Sequence, residues 1–153
     1  MRKIGVEERR ARLGLRHFLA RPASSAEEVA VGLAGLHSSD PATVYLSAWA
    51  RVAGFAPADL RDGLYERRSL VRMLGMRRTL FVVPRDLAAV MDAACTKALV
   101  PGQRKRLVRM LEDQGIARTG RGERWLGRVA AETFDALTAR GEATAPELTK
   151  DVP

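Results

Sequence analysis

His37 and Ser39 stand two residues apart, with Asp40 directly behind them, in the densest polar cluster of the chain, Gly35-Leu36-His37-Ser38-Ser39-Asp40-Pro41. An imidazole, with an unperturbed pKa of about 6.5, can hold a water molecule and take its proton near neutral pH. The Ser39 hydroxyl can hydrogen-bond the same water. Ser38, between the two, is expected to point away from them. Asp40 has two readings. Its carboxylate can orient His37 or stabilise positive charge, and it equally suits the N-cap of a helix opened by Pro41. His37, Ser39 and Asp40 include the residue types of a hydrolase triad. The strained Gly-x-Ser-x-Gly turn that presents such a nucleophile is absent, and three residues this close in sequence rarely reach triad geometry.

Helices on either side must position this cluster. Downstream of Pro41, Tyr45, Trp49 and Val52 recur at i, i+4 and i+7 with Val44 and Ala48 beside them, which predicts one buried stripe ended by Gly54. Upstream, residues 7–20 read as a helix with Leu15, Phe18 and Leu19 apolar, stopped by Pro22. A second helix, capped by Ser24 with Glu27 or by Ser25 with Glu28, carries Val29, Leu33 and Leu36. Pro57 opens a short fourth helix. After Arg67-Arg68 the period changes. Leu70, Arg72 and Leu74 alternate, Gly75-Met76 supplies a turn, and residues 79–83 read as a strand closed by Pro84. A hairpin following three or four helices reads as the wing of a winged helix-turn-helix. Arg77 and Arg78, adjacent on that strand, are expected to project to opposite faces, one outward and the other pairing with Glu66 or Asp62. A helix from Arg85 to about Leu99, a break at Val100-Pro101-Gly102, and helices over 103–113 and 123–140 complete the pattern. The fold class is mainly α with small β-hairpins (α+β).

The 153 residues carry 26 Lys and Arg against 18 Asp and Glu, a net charge of +8. Such an excess favours a polyanionic partner, most simply nucleic acid, with a solvated basic face as the plain alternative. Cys95 is the single cysteine and there are two histidines, so no disulfide framework and no structural zinc or other metal site is expected. Gly120-x-Gly122 lacks a preceding strand and a third glycine, which rejects a dinucleotide fingerprint. There is no apolar N-terminal leader core and no run long enough to span a bilayer, so the reading is a soluble cytoplasmic protein without a membrane partner.

Gly35-Leu36-His37-Ser38-Ser39-Asp40-Pro41, followed by the Trp49-Ala50-Arg51 helix, resembles the winged-helix DNA-glycosylase family that unhooks interstrand crosslinks and removes alkylated purines. The Gln-x-Gln or Gln-x-Asp hallmark of that family falls here on His37 and Ser39. Its Arg-Gly-Thr-x-His-like second strand falls on Arg77-Arg78-Thr79-Leu80-Phe81, with Phe81 at the place of the usual histidine. The resemblance implies a first winged-helix domain over residues 1–99. Linker helices and the start of a second, truncated winged helix then occupy 100–153, within a longer protein of tandem winged helices. It also implies a monofunctional glycosylase acting on alkylated or crosslinked bases in double-stranded DNA, in the cytoplasm at the nucleoid, without metal or cofactor. His37, Ser39 and Asp40 would be catalytic, and Arg51, Arg67, Arg68, Arg72, Arg77 and Arg78 would face the DNA. Because both hallmark glutamines are replaced, a non-catalytic winged-helix DNA-binding regulator is the alternative. Without the resemblance, His37 reads first as a loop histidine bonded to the neighbouring backbone.

Overall fold

The computed structural model describes residues 3–152. Its chain divides into two compact units, one ending at Leu99 and the other starting at Val100. The first unit runs α1 (Val6–Arg16), α2 (Ala26–Gly32), β1 (Leu36–His37), α3 (Pro41–Trp49), α4 (Pro57–Arg61, continued by a π-helical turn, Asp62–Glu66), β2 (Leu70–Leu74), a 3₁₀ turn (Met76–Arg78), β3 (Leu80–Pro84) and α5 (Arg85–Met91, continued by a π-helical turn, Asp92–Thr96). The strands form one antiparallel sheet in the order β1-β3-β2. The architecture is mainly α with a small sheet, as the pattern predicts, but the sheet has a third strand beyond the hairpin.

Local chemistry sets the boundaries. Ser25 caps α2 by accepting from the Glu28 N–H at 3.1 Å, and the Glu28 carboxylate returns to the Ser24 N–H and hydroxyl, each at 2.8 Å. That leaves Glu27 free to reach elsewhere. The helix is shorter than the stripe Val29, Leu33, Leu36 suggests, because Ala34 and Gly35 both take positive φ. Gly35, at φ +114°, donates to the Ala30 carbonyl at 2.7 Å. A Cβ at that residue would lie 2.9 Å from Val83 Cγ1, so only glycine lets the chain turn this close to β3. Leu36 therefore leaves the helix and becomes the buried residue of β1.

The first expected helix also ends early, at Arg16 rather than Ala20, with Phe18 at φ +58°. None of its residues is buried; Leu15 and Leu19 are exposed, and only the half-buried Phe18 ring beyond it packs on the core.

In α3 the expected stripe is buried at Val44 and Ala48, and Trp49 alone of its residues points away from the core. Val44 and Ala48 are buried, Tyr45 is half-buried, and Trp49 is 67 % exposed. Successive helical residues are rotated by about 100°, so burying Ala48 against the core carries the indole outward. Val52 is buried past the helix end, where it forms a parallel bridge with Ala23. The core gathers Ala26, Val29 and Ala30 of α2, Leu36, Val44, Ala48, Leu60 of α4, Leu70 and Val82.

The second unit comprises α6 (Val100–Asp113), α7 (Gly122–Arg140) and α8 (Ala145–Asp151). The expected break at 100–102 is instead the first turn of α6, where a proline is tolerated. Gly122 donates to the Glu112 carboxylate at 2.8 Å, and Gly141, at φ +80°, ends α7. Thr144 and Glu147 form a reciprocal capping box on α8. No helix among the described residues is long and apolar enough to cross a membrane.

Candidate functional site

The site begins on β1. Its register places Leu36 opposite Val82 and His37 opposite Phe81, with Arg72 and Met73 of β2 as the next partners across β3. Alternation then puts Leu36, Val82 and Arg72 on one face and His37, Phe81 and Met73 on the other. Ser38 extends the ladder, its N–H donating to the Leu80 carbonyl at 2.8 Å, and its side chain is turned inward at 1 % exposure. His37 and Ser39 therefore emerge together on the opposite, exposed side.

Their side chains meet. The Ser39 hydroxyl lies 3.3 Å from His37 Nε2, the donor depending on the imidazole tautomer. The hydroxyl also accepts from the Leu80 N–H at 3.4 Å, which leaves its own proton free to be given to Nε2. In that arrangement the imidazole is an acceptor. Phe81 buttresses it edge-to-face, with ring centroids 5.5 Å apart and planes at 85°. The position where the resemblance implies a histidine is thus the direct neighbour of the histidine this chain does have.

Arg72 reaches the same segment from the other face. Its Nε and Nη2 donate to the Ser38 carbonyl at 3.2 and 2.8 Å, and Nε lies 3.4 Å from the Ser38 hydroxyl. This arginine, which the resemblance implies to face the DNA, is exposed and also grips the peptide joining His37 to Ser39. The signal was present in the sequence as one cation inside the inward alternation Leu70-x-Arg72-x-Leu74. Asp40 is committed to α3, its Oδ1 accepting from the Ala42 and Thr43 N–H groups at 2.7 and 3.3 Å. No bond joins it to His37 among the described residues.

The other arginines divide by what they touch. Arg51 is half-buried just past α3 and folds back on Ser47, with Nη1 2.9 Å from its carbonyl and 3.1 Å from its hydroxyl. Its Nε is buried with no protein partner. Arg67 pairs with Glu27 at 3.0 Å and donates to the Asp59 carbonyl at 3.4 Å. Ser69 joins them, donating to Glu27 at 2.7 Å. Burial alone would raise the Glu27 carboxyl, but the bonds from Ser69 and Arg67 outweigh it and hold the group below the usual glutamate range. Arg68 donates to the Tyr65 carbonyl at 3.5 Å.

Arg77 and Arg78 do not alternate along a strand. They sit on the 3₁₀ turn at the hairpin tip with φ of +55° and +61°, and both are exposed. The rule that only one can face outward does not apply to a turn. Neither pairs with Glu66 or Asp62 among the described residues; Asp62 lies 3.5 Å from Arg61 instead.

No curated protein and no solved structure matches the chain. The family profile described as DNA glycosylase AlkZ-like matches residues 31–153, a span that takes in β1, the His37–Ser39 pair, the β2–β3 hairpin and the whole second unit. The chain belongs to this DNA glycosylase AlkZ-like family.

Proposed function

We propose that the protein is a monofunctional DNA glycosylase that hydrolyses the N-glycosidic bond of alkylated or crosslinked bases in double-stranded DNA. The single observation that carries this reading is the exposed His37–Ser39 pair, 3.3 Å apart on an edge strand whose backbone is gripped from behind by Arg72. Excision of a base needs a water at the anomeric carbon and something to take its proton. A water entering the pair replaces Ser39 as donor to Nε2, while the serine hydroxyl holds its oxygen. As the bond from C1′ to the base nitrogen breaks, its electron pair leaves on the base. The water oxygen closes on C1′ and its proton passes to Nε2. An alkylated purine starts with a positive charge and departs neutral, so no group need protonate it first. Asp40 adds negative charge beside the sugar cation while it caps α3.

In this reading α2, β1, α3, α4 and the β2–β3 hairpin make up a winged helix whose wing tip, Arg77 and Arg78, rests on DNA phosphates. The second unit supplies linker helices and the start of a further winged helix. The test is a duplex carrying a single N7-alkylguanine, incubated with the protein and then treated with alkali to cleave abasic sites. Strand scission at the lesion is the expected result. Tight DNA binding without released base would favour the non-catalytic regulator instead.

A further inference from the structure

At the start of α7 the second unit has a cavity of about 350 Å³ lined by Ile116, Arg118, Arg121, Arg124, Trp125 and Arg128. Arg128 is paired with Glu132 at 2.9 and 3.0 Å. Arg118, Arg121 and Arg124 are exposed and make no ion pair among the described residues. Such crowding is unfavourable on two counts. Arg121, Arg124 and Arg128 fall at helical spacings of three and four, where like charges repel. The first two also sit at the end of the helix whose dipole disfavours cations. Arg121, at the N-cap position, makes no side-chain capping bond. Glu123, the acid of the first turn, does not relieve the charge, because it is turned to Arg104 of α6 at 2.5 Å. An anion in the cavity offsets both penalties.

Two further features narrow the ligand. Guanidinium groups match phosphate oxygens in a planar, two-pronged fashion. Trp125 and Ile116 give the cavity an apolar wall, which a bare phosphate does not need. A basic track beside an aromatic platform is how single-stranded nucleic acid is held without sequence preference. Bases stacked inside a duplex have no face left for an indole. We propose that this cavity binds a single-stranded DNA segment, with phosphates on Arg118, Arg121 and Arg124 and an unpaired base stacked on Trp125.

The site lies apart from His37 in sequence, and its test reads binding rather than excision. The protein has two tryptophans, so a Trp49→Phe background makes Trp125 the sole indole. Titration with an oligothymidylate of about ten nucleotides, a length typical of such sites, should quench Trp125 fluorescence. Replacing Arg118, Arg121 and Arg124 together with glutamine should weaken that binding at least about tenfold. It should also lower the slope of log affinity against log salt by about two, since each single-strand phosphate contact adds about 0.7. All three arginines are exposed, so folding is unaffected, which circular dichroism verifies. His37→Ala should leave the quenching unchanged, so a failed glycosylase assay and a failed binding assay remain distinct. Equal quenching by pyrophosphate would mean an anion site only and overturn the proposal. Preference for the matched duplex, or unchanged affinity in the triple variant, would overturn it as well.

Discussion

The Ser38 carbonyl receives two N–H donors from Arg72, and the Ser38 N–H is spent on Leu80, so both peptides flanking this residue are held. His37 and Ser39 inherit their placement from that grip, because side chains two apart on an extended segment move together. Removing the guanidinium leaves a part-buried acceptor short of its partner, a loss of about 1–2 kcal/mol. Arg72→Gln should therefore lower stability by that amount in urea unfolding. It should also slow single-turnover excision more than it weakens DNA binding, with Arg72→Lys recovering part of the rate. Weakened binding at an unchanged rate would assign Arg72 to DNA contact rather than to positioning the pair. The cap at Asp40 was legible in the sequence because it is local, set by a carboxylate next to a proline. The role of Arg72 depends on a partner 34 positions away, and only its odd place among leucines hinted at it.

Elements are tied to one another by a few polar links as well as by the apolar core. Glu27 leaves the first turn of α2 to accept from Ser69, just ahead of β2, and from Arg67. Its carboxyl is held below the ordinary range, so the folded state favours the charged form. The stability this contributes is present at and above the ordinary glutamate range and is lost as pH falls through the depressed folded value. Glu27→Gln should lower Tm at neutral pH, and the gap from the parent should narrow as pH falls below the ordinary glutamate value. A gap independent of pH would assign the effect to packing alone. Hairpin strands 70–74 and 80–84 were readable from alternation and the intervening turn residues. β1 was not, since two residues show no period and its existence depends on β3 lying beside it. Within the α3 stripe, Trp49 departs from the pattern for a related reason. Hydrophobicity favours Trp49 as the buried residue, but close packing of the helix on the core selects the small side chain of Ala48.

Across the molecule, the net charge of +8 is not spread evenly in what it does. Arg67 and Arg72, though exposed, are bonded to Glu27 and to the Ser38 carbonyl, and Arg51 is folded back on Ser47, while Arg77 and Arg78 stand exposed at the hairpin tip. Composition shows the surplus but not this division, which requires the tertiary partners. If the tip rests on phosphates, Arg77→Gln with Arg78→Gln should weaken duplex binding at low salt and flatten the salt slope by roughly 1.8, at about 0.9 per contact. Fold stability should stay within about 0.5 kcal/mol, as expected for exposed substitutions. An unchanged slope would take the hairpin out of the DNA interface.

The central claim is that His37 takes the proton of the attacking water, and its most direct test is single-turnover excision by His37→Ala and His37→Gln. General-base assistance is worth about 10²–10⁴-fold. Both variants should lose excision on that scale while retaining fold and DNA affinity, because an amide can hold water but cannot accept its proton. Excision by His37→Ala at the parent rate would contradict the account.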